Sequence, residues 1–203
     1  LMVVVSVAYT VPWETHLIAH GVWSYGDDTV MARLFGVPLE EYLFIVLEVL
    51  LAGLWLASLP RPDPEPPTMD LGDRGFGLVA GLVVGAAGIS WTRFADAYYI
   101  GWLLTWAAPV LAVQWAYGWP YLWRARKLIA TAVLGPTLYL SITDRIAIEL
   151  GIWSLSETYT VGWTILGLPV EEATFFLLTS LFLVQGIVLF DWLLCKRGWS
   201  EPA

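Results

Sequence analysis

Basic side chains are scarce in this chain. Ten Lys and Arg face 18 Asp and Glu across 203 residues, for a net charge of −8. That balance argues against nucleic-acid binding. Charge of either sign is thin at 14%, where a soluble domain carries about a quarter. The single cysteine, Cys195, excludes an internal disulfide framework and a Cys/His metal set. No G-x-G-x-x-G fingerprint and no phosphate-binding P-loop occurs, so the usual sequence signals of dinucleotide or nucleotide chemistry are missing. Hydrophobic residues fill the space, at 58%, with 13 Trp among them. Apolar runs recur to the end of the chain and approach the ~20 residues that cross a bilayer, so no cleaved leader explains them.

The expected fold is therefore an all-α, multi-pass membrane bundle. Six spans are predicted, at 1–13, 37–59, 76–92, 97–117, 126–143 and 165–193. The proline-rich, charged stretch 60–75 cannot stay helical and reads as a linker. The lysines, Lys127 and Lys196, fall at span ends, which argues against a Schiff base in the bundle centre.

Two halves of the chain resemble each other. Glu14 precedes Gly21, Trp23 and Ser24; Asp144 precedes Gly151, Trp153 and Ser154 at an offset of 130. Next come GVPLEEYLF and GLPVEEATF, pairing Pro38 with Pro169, Glu40 with Glu171, Glu41 with Glu172 and Phe44 with Phe175. The predicted organisation is a first repeat over 1–59, a linker and connecting helix over 60–96, and a second repeat over 97–203. The span at 97–117 has no counterpart ahead of the first unit. One further helix before Leu1, seven spans in all, is the expectation. Four crossings separate Glu14 from Asp144, so the repeats run parallel and both acidic clusters share one face. Most basic residues fall at the other face, with the C-terminus. The positive-inside rule then puts the C-terminus in the cytoplasm and the acidic motifs toward the outer face of the cell membrane.

A proline at a helix start followed by acids in the first turn is ordinary helix-end chemistry. It does not explain why the pattern comes twice, each time with a further carboxylate and a tryptophan loop. Ionisable groups at membrane depth are costly and usually functional. Six acids (Glu14, Glu40, Glu41, Asp144, Glu171, Glu172) gather with few bases to neutralise them. At least one is expected to keep its proton, and a protonated acid beside an ionised one can act as an acid–base pair on a very weak base such as an alkene. Glu48, two helical turns beyond Glu41, is expected to extend the acid site inward or to meet a polar partner. Trp23, Trp153, Trp163, Tyr25, Phe44, Phe175 and Phe176 fall near the same face, and aromatic rings stabilise a carbocation. His16 and His20 stand four apart but have Ile146 and Leu150 as counterparts, so no metal site is assigned. Asp27-Asp28 has only Arg33 nearby, which is too little for a diphosphate site. Arg93 and Asp96 are expected to pair.

The doubled Pro-x-Glu-Glu, with an acid before a Gly-x-Trp loop, resembles the membrane-embedded lycopene cyclases of archaeal, bacterial-heterodimeric and fungal type. The resemblance covers nearly the whole chain. It implies protonation of the terminal double bond of lycopene, ring closure and proton loss to give β-carotene, with no cofactor and no metal. It implies Glu40, Glu41, Glu171 and Glu172 as catalytic acids, with Glu40 and Glu171 as the leading pair. Glu14, Asp144 and Glu48 would support them or relay protons, and Trp23, Trp153, Phe44, Phe175 and Phe176 would hold the substrate. Expected partners are membrane lipid, lycopene and γ-carotene, and a homo-oligomer is compatible with the sequence. The alternatives are a cyclase or hydratase acting on another polyene, or a proton-coupled transporter or carotenoid-binding protein.

Overall fold

A computed structural model of the chain describes residues 1–26, 29–60 and 68–196. Asp27, Asp28, most of the proline-rich linker and Arg197 lie outside the described residues. Six long helices form: α1 (Met2–Ala19), α2 (Leu39–Ser58), α3 (Leu71–Trp91), α4 (Tyr98–Arg124), α5 (Arg126–Glu149) and α6 (Val170–Lys196). Four of them, α1, α2, α3 and α6, are long and apolar enough to cross a membrane. The other two have the length but interrupt their apolar faces, α5 with Thr131, Thr137, Ser141, Thr143 and Asp144.

Several boundaries differ from the sequence reading. The first helix continues past residue 13 to Ala19, because no breaker intervenes before Gly21, which adopts φ +71°. Glu14 therefore lies inside α1 rather than after it. Residues 118–125, left between the predicted spans 97–117 and 126–143, are helical up to Arg124. Gly118 kinks α4 at φ −162°, ψ 35°, and Ala125 joins α4 directly to α5. The connecting helix starts earlier than residue 76, since Asp70 and Asp73 form a reciprocal capping box at its head, with Asp73 N–H donating to Asp70 at 2.8 Å. Arg93 and Asp96 form no ion pair; Asp96 falls in a 3₁₀ turn at Ala95–Ala97.

Short strands organise one end of the bundle. A hairpin pairs β2 (Arg33–Leu34) with β3 (Val37–Pro38) ahead of α2, and another pairs β5 (Thr164–Ile165) with β6 (Leu168–Pro169) ahead of α6. Their two-residue turns, Phe35-Gly36 and Leu166-Gly167, have positive φ at both positions, which the glycines accept freely. The prolines close these hairpins; Pro38 is the N-cap of α2, and the helix begins one residue later than a first-turn proline would place it. Glu40 and Glu41, and likewise Glu171 and Glu172, do occupy the first helical turns. The segments after α1 and α5, β1 (Trp23–Tyr25) and β4 (Trp153–Leu155), pair antiparallel with Ser24 opposite Ser154 and their hydroxyls 2.8 Å apart. This pairing ties the C-terminal ends of α1 and α5 together at the end where α2 and α6 begin.

The connecting helix α3 lies against α4 through buried Gly77, Gly81, Gly85 and Gly88. A Cβ on Gly81 would come within 2.4 Å of the Ala112 backbone, so small residues set this close approach. The largest core cluster is aromatic. Trp13 stacks on Trp106 at 4.7 Å and on Phe175 at 5.8 Å, and Trp23 meets Trp13 edge-on at 5.5 Å. This cluster packs directly beneath the strand-linked end.

Candidate active site

Four helices each bring a carboxyl group to one cavity. Its lining includes Glu14 from α1, Glu40 and Glu41 from α2, Asp144 from α5 and Glu172 from α6, with Trp23, Tyr25, Phe44, Trp153, Phe175 and Phe176 around them. The volume is about 220 Å³. An apolar cavity of about 150 Å³ accepts a benzene ring, so this one has room for a ring with methyl branches. No Lys, Arg or His is among the lining residues.

The neighbouring bases stand outside its lining. Arg33 lies over the Tyr25 ring at 5.1 Å and donates to the Gly36 carbonyl at 3.1 Å. Arg145 pairs with Glu149 at 2.6 Å. The histidines face elsewhere: His16 hydrogen bonds with Tyr98 at 3.1 Å, and the His16 and His20 rings lie 4.2 Å apart.

The acids differ in what they touch. Tyr99, fully buried, donates its hydroxyl to Glu172 at 2.7 Å. Trp153 Nε1 donates to Asp144 Oδ1 at 3.1 Å. Tyr25 donates to Glu41 at 3.3 Å. Burial, and then the adjacent Glu41 carboxyl, push the Tyr25 phenol well above its usual range, which keeps it a donor. Glu14 is 3% exposed, and among the described residues nothing donates to it; its Oε2 is buried without a partner.

The first glutamate of each pair behaves differently. Glu40 accepts the Met31 backbone N–H at 2.8 Å, and Glu171 accepts the Val161 N–H at 2.7 Å. Each fastens the loop ahead of its own helix. Glu40 still reaches the cavity wall, whereas Glu171, at 0% exposure, does not line it. Glu48 is separate as well. Its partner is the Thr179 hydroxyl, and it lines a second cavity deeper in the bundle.

A lycopene cyclase family model matches residues 1–59 and 96–192. The chain belongs to the lycopene cyclase family. It is 47% identical over 196 residues to the lycopene beta-cyclase of Halobacterium salinarum, covering 97% of this chain and 83% of that protein. It is 31% identical over 205 residues to the bifunctional lycopene cyclase/phytoene synthase of Podospora anserina, covering 94% of this chain and 34% of that protein. No solved structure matches the chain.

Of the family-type residues singled out in the sequence, the structure gathers Glu14, Glu40, Glu41, Asp144 and Glu172 with all five aromatic candidates, and leaves Glu171 and Glu48 outside the cavity. Sequence reasoning missed Tyr99 and Trp13. Trp13 adjoins Glu14 in the chain, a signal that was available. Tyr99 arrives from the start of α4, 73 residues from its carboxylate partner, and no local pattern announces that contact.

Proposed function

We propose that this chain cyclises lycopene to β-carotene without a redox cofactor, inside the acidic, aromatic cavity. The observation that carries the reading is the convergence of five carboxyl groups from four helices on an aromatic cavity with no lining base. The reaction is an isomerisation. A carboxyl proton adds to the terminal double bond of the substrate. The tertiary carbocation is captured by the neighbouring double bond, which closes the ring and moves the positive charge to a ring carbon. A carboxylate removes a proton from the adjacent ring carbon, and one double bond re-forms. One proton enters and one leaves, so neither oxidant nor reductant is consumed.

Glu14 is the proposed donor. A buried carboxyl with no hydrogen-bond donor is best accommodated in its neutral form, because an unpaired buried charge is costly. Glu172 is the proposed acceptor, since the Tyr99 hydroxyl donates to it at 2.7 Å. Glu41 and Asp144, in the same lining, would return the proton between turnovers. Glu40 and Glu171 are positioning residues in this scheme, which reverses the sequence-based ranking within each pair. Trp23, Trp153, Phe44, Phe175 and Phe176 would face the cation and exclude water. γ-Carotene, with one acyclic end left, presents the same end group and is a second substrate of the scheme. The two units, 1–59 and 97–203, joined by 60–96, supply three and two acids respectively to the cavity. The acidic end is assigned to the outer face of the membrane, with the C-terminus cytoplasmic.

Expression in lycopene-accumulating cells tests the reading. β-Carotene should replace lycopene. Unchanged lycopene, with the protein folded in the membrane fraction, would rule the activity out; a hydroxylated product would show that water captures the cation.

A further inference from the structure

A second cavity lies next to the acidic one along the bundle and is not used by the chemistry above. It is lined by residues of α1, α2, α4 and α6, among them Ser6, Thr10, Val49, Val110, Thr179 and Leu183, with a volume of about 180 Å³. Phe175 lines both cavities. On α1 the acidic cavity is marked by Glu14 and the second cavity extends to Met2, twelve residues or about 18 Å of helix. Val5, another lining residue, is 54% exposed, so this cavity reaches the outer surface of the bundle there. Part of its polar wall is engaged, while Trp106 Nε1 and Gln114 Oε1 are buried without a partner. Thr179 bonds Glu48, and Gln114 Nε2 donates to the Phe182 carbonyl at 2.9 Å.

We propose that this second cavity holds the polyene chain of the substrate, whose end group sits in the acidic cavity, with Phe175 at the junction. The inference rests on the cyclase reading. Its physical basis is adjacency: a linear substrate that places one end among Glu14, Glu41, Asp144 and Glu172 must leave that site along some path, and the second cavity shares the Phe175 wall with it. The mostly apolar volume beyond Phe175 points down the bundle and ends at lipid. The cavity then makes chain length a determinant of binding, because Ser6 lies eight residues, or about 12 Å, from Glu14 along α1.

The test compares Ser6→Phe and Val110→Phe with wild type in detergent-solubilised full-length protein. Two probes are used: lycopene, and an acyclic two-isoprene-unit compound with the same end group. Lycopene retention by the protein and kcat/KM for lycopene should each fall at least about tenfold in the variants. The inhibition constant of the short compound, which ends before Ser6, should stay within about twofold. Equal losses for both probes, or no loss of lycopene retention in either variant, overturn the proposal, as does a wild type that retains no lycopene. A wild type that retains lycopene without converting it refutes the cyclase reading alone, and the retention data then decide the tail site by themselves.

Discussion

Replacing each member of the second glutamate pair with glutamine separates two roles that adjacent residues hold. Glu171 accepts a backbone N–H from Val161 at 2.7 Å and does not line the acidic cavity. A glutamine amide oxygen can take the same bond. What is lost is the charge on the acceptor, a difference of about 1 kcal/mol between charged and neutral hydrogen bonds, or about fivefold. Glu172 lines the cavity and accepts from Tyr99 at 2.7 Å. Glutamine there keeps the volume and an acceptor but cannot take up a proton. General acid–base catalysis contributes about 10²–10⁴-fold, so Glu172→Gln should lose about 3–5 kcal/mol of transition-state stabilisation. The assay is β-carotene formed per unit of membrane-extracted protein, with gel filtration confirming that both variants are folded. A Glu171→Gln protein that is folded but loses more than about a hundredfold, beside a Glu172→Gln protein near wild-type activity, would refute the assignment and restore the order expected from sequence.

Tyr99→Phe keeps the ring that packs against Trp13 and Trp23 but removes the donor to Glu172; a hydrogen bond to a charged group contributes about 1.5–3 kcal/mol, so kcat should fall at least about tenfold in steady-state assays. Tyr25→Phe removes the longer bond to Glu41, and a loss of only a few-fold is expected. Because the Tyr25 phenol is pushed above its ordinary range, it stays neutral on the acid side of that raised value. The ratio of wild-type to Tyr25→Phe activity should therefore be flat from about pH 6 to 9, and a ratio that declines across that window would contradict the burial argument. Gly81→Val forces a side chain into the Ala112 backbone and should cost about 1–3 kcal/mol, read as faster thermal inactivation, with kcat of the surviving protein unchanged.

The part of the fold visible in the sequence is what hydropathy and spacing encode. Long apolar runs announce helices wherever they lie, because the bilayer demands both length and internally satisfied backbone. Their ends are less visible. Glu14, Thr15, His16 and His20 made the end of α1 resemble a loop, yet polar residues near a helix terminus do not break it, and the chain turns only at Gly21. The 118–125 stretch, with Gly118 and Pro120, had the composition of a loop, but the helix absorbs both with one kink.

The site itself was partly legible for a related reason. The matched spacing of Glu14 with Asp144 and of Glu41 with Glu172 marks residues held at one end of the bundle, and hairpins of equal length deliver both glutamate pairs to it. Which glutamate of a pair points inward is another matter. Successive residues of an α-helix are turned by about 100°, so Glu40 and Glu41, or Glu171 and Glu172, cannot share a direction. In a first turn there is no preceding helix to establish which face is buried. The choice is made by the loops: the Met31 and Val161 amides claim the first acid of each pair, and that leaves the second turned toward Tyr25 in one case and Tyr99 in the other. Tyr25 comes from a strand 16 residues before Glu41, and Tyr99 from a helix 73 residues before Glu172. A pattern of acids can therefore be read from one segment, whereas their division into structural and reacting groups depends on contacts that exist only after the bundle has closed.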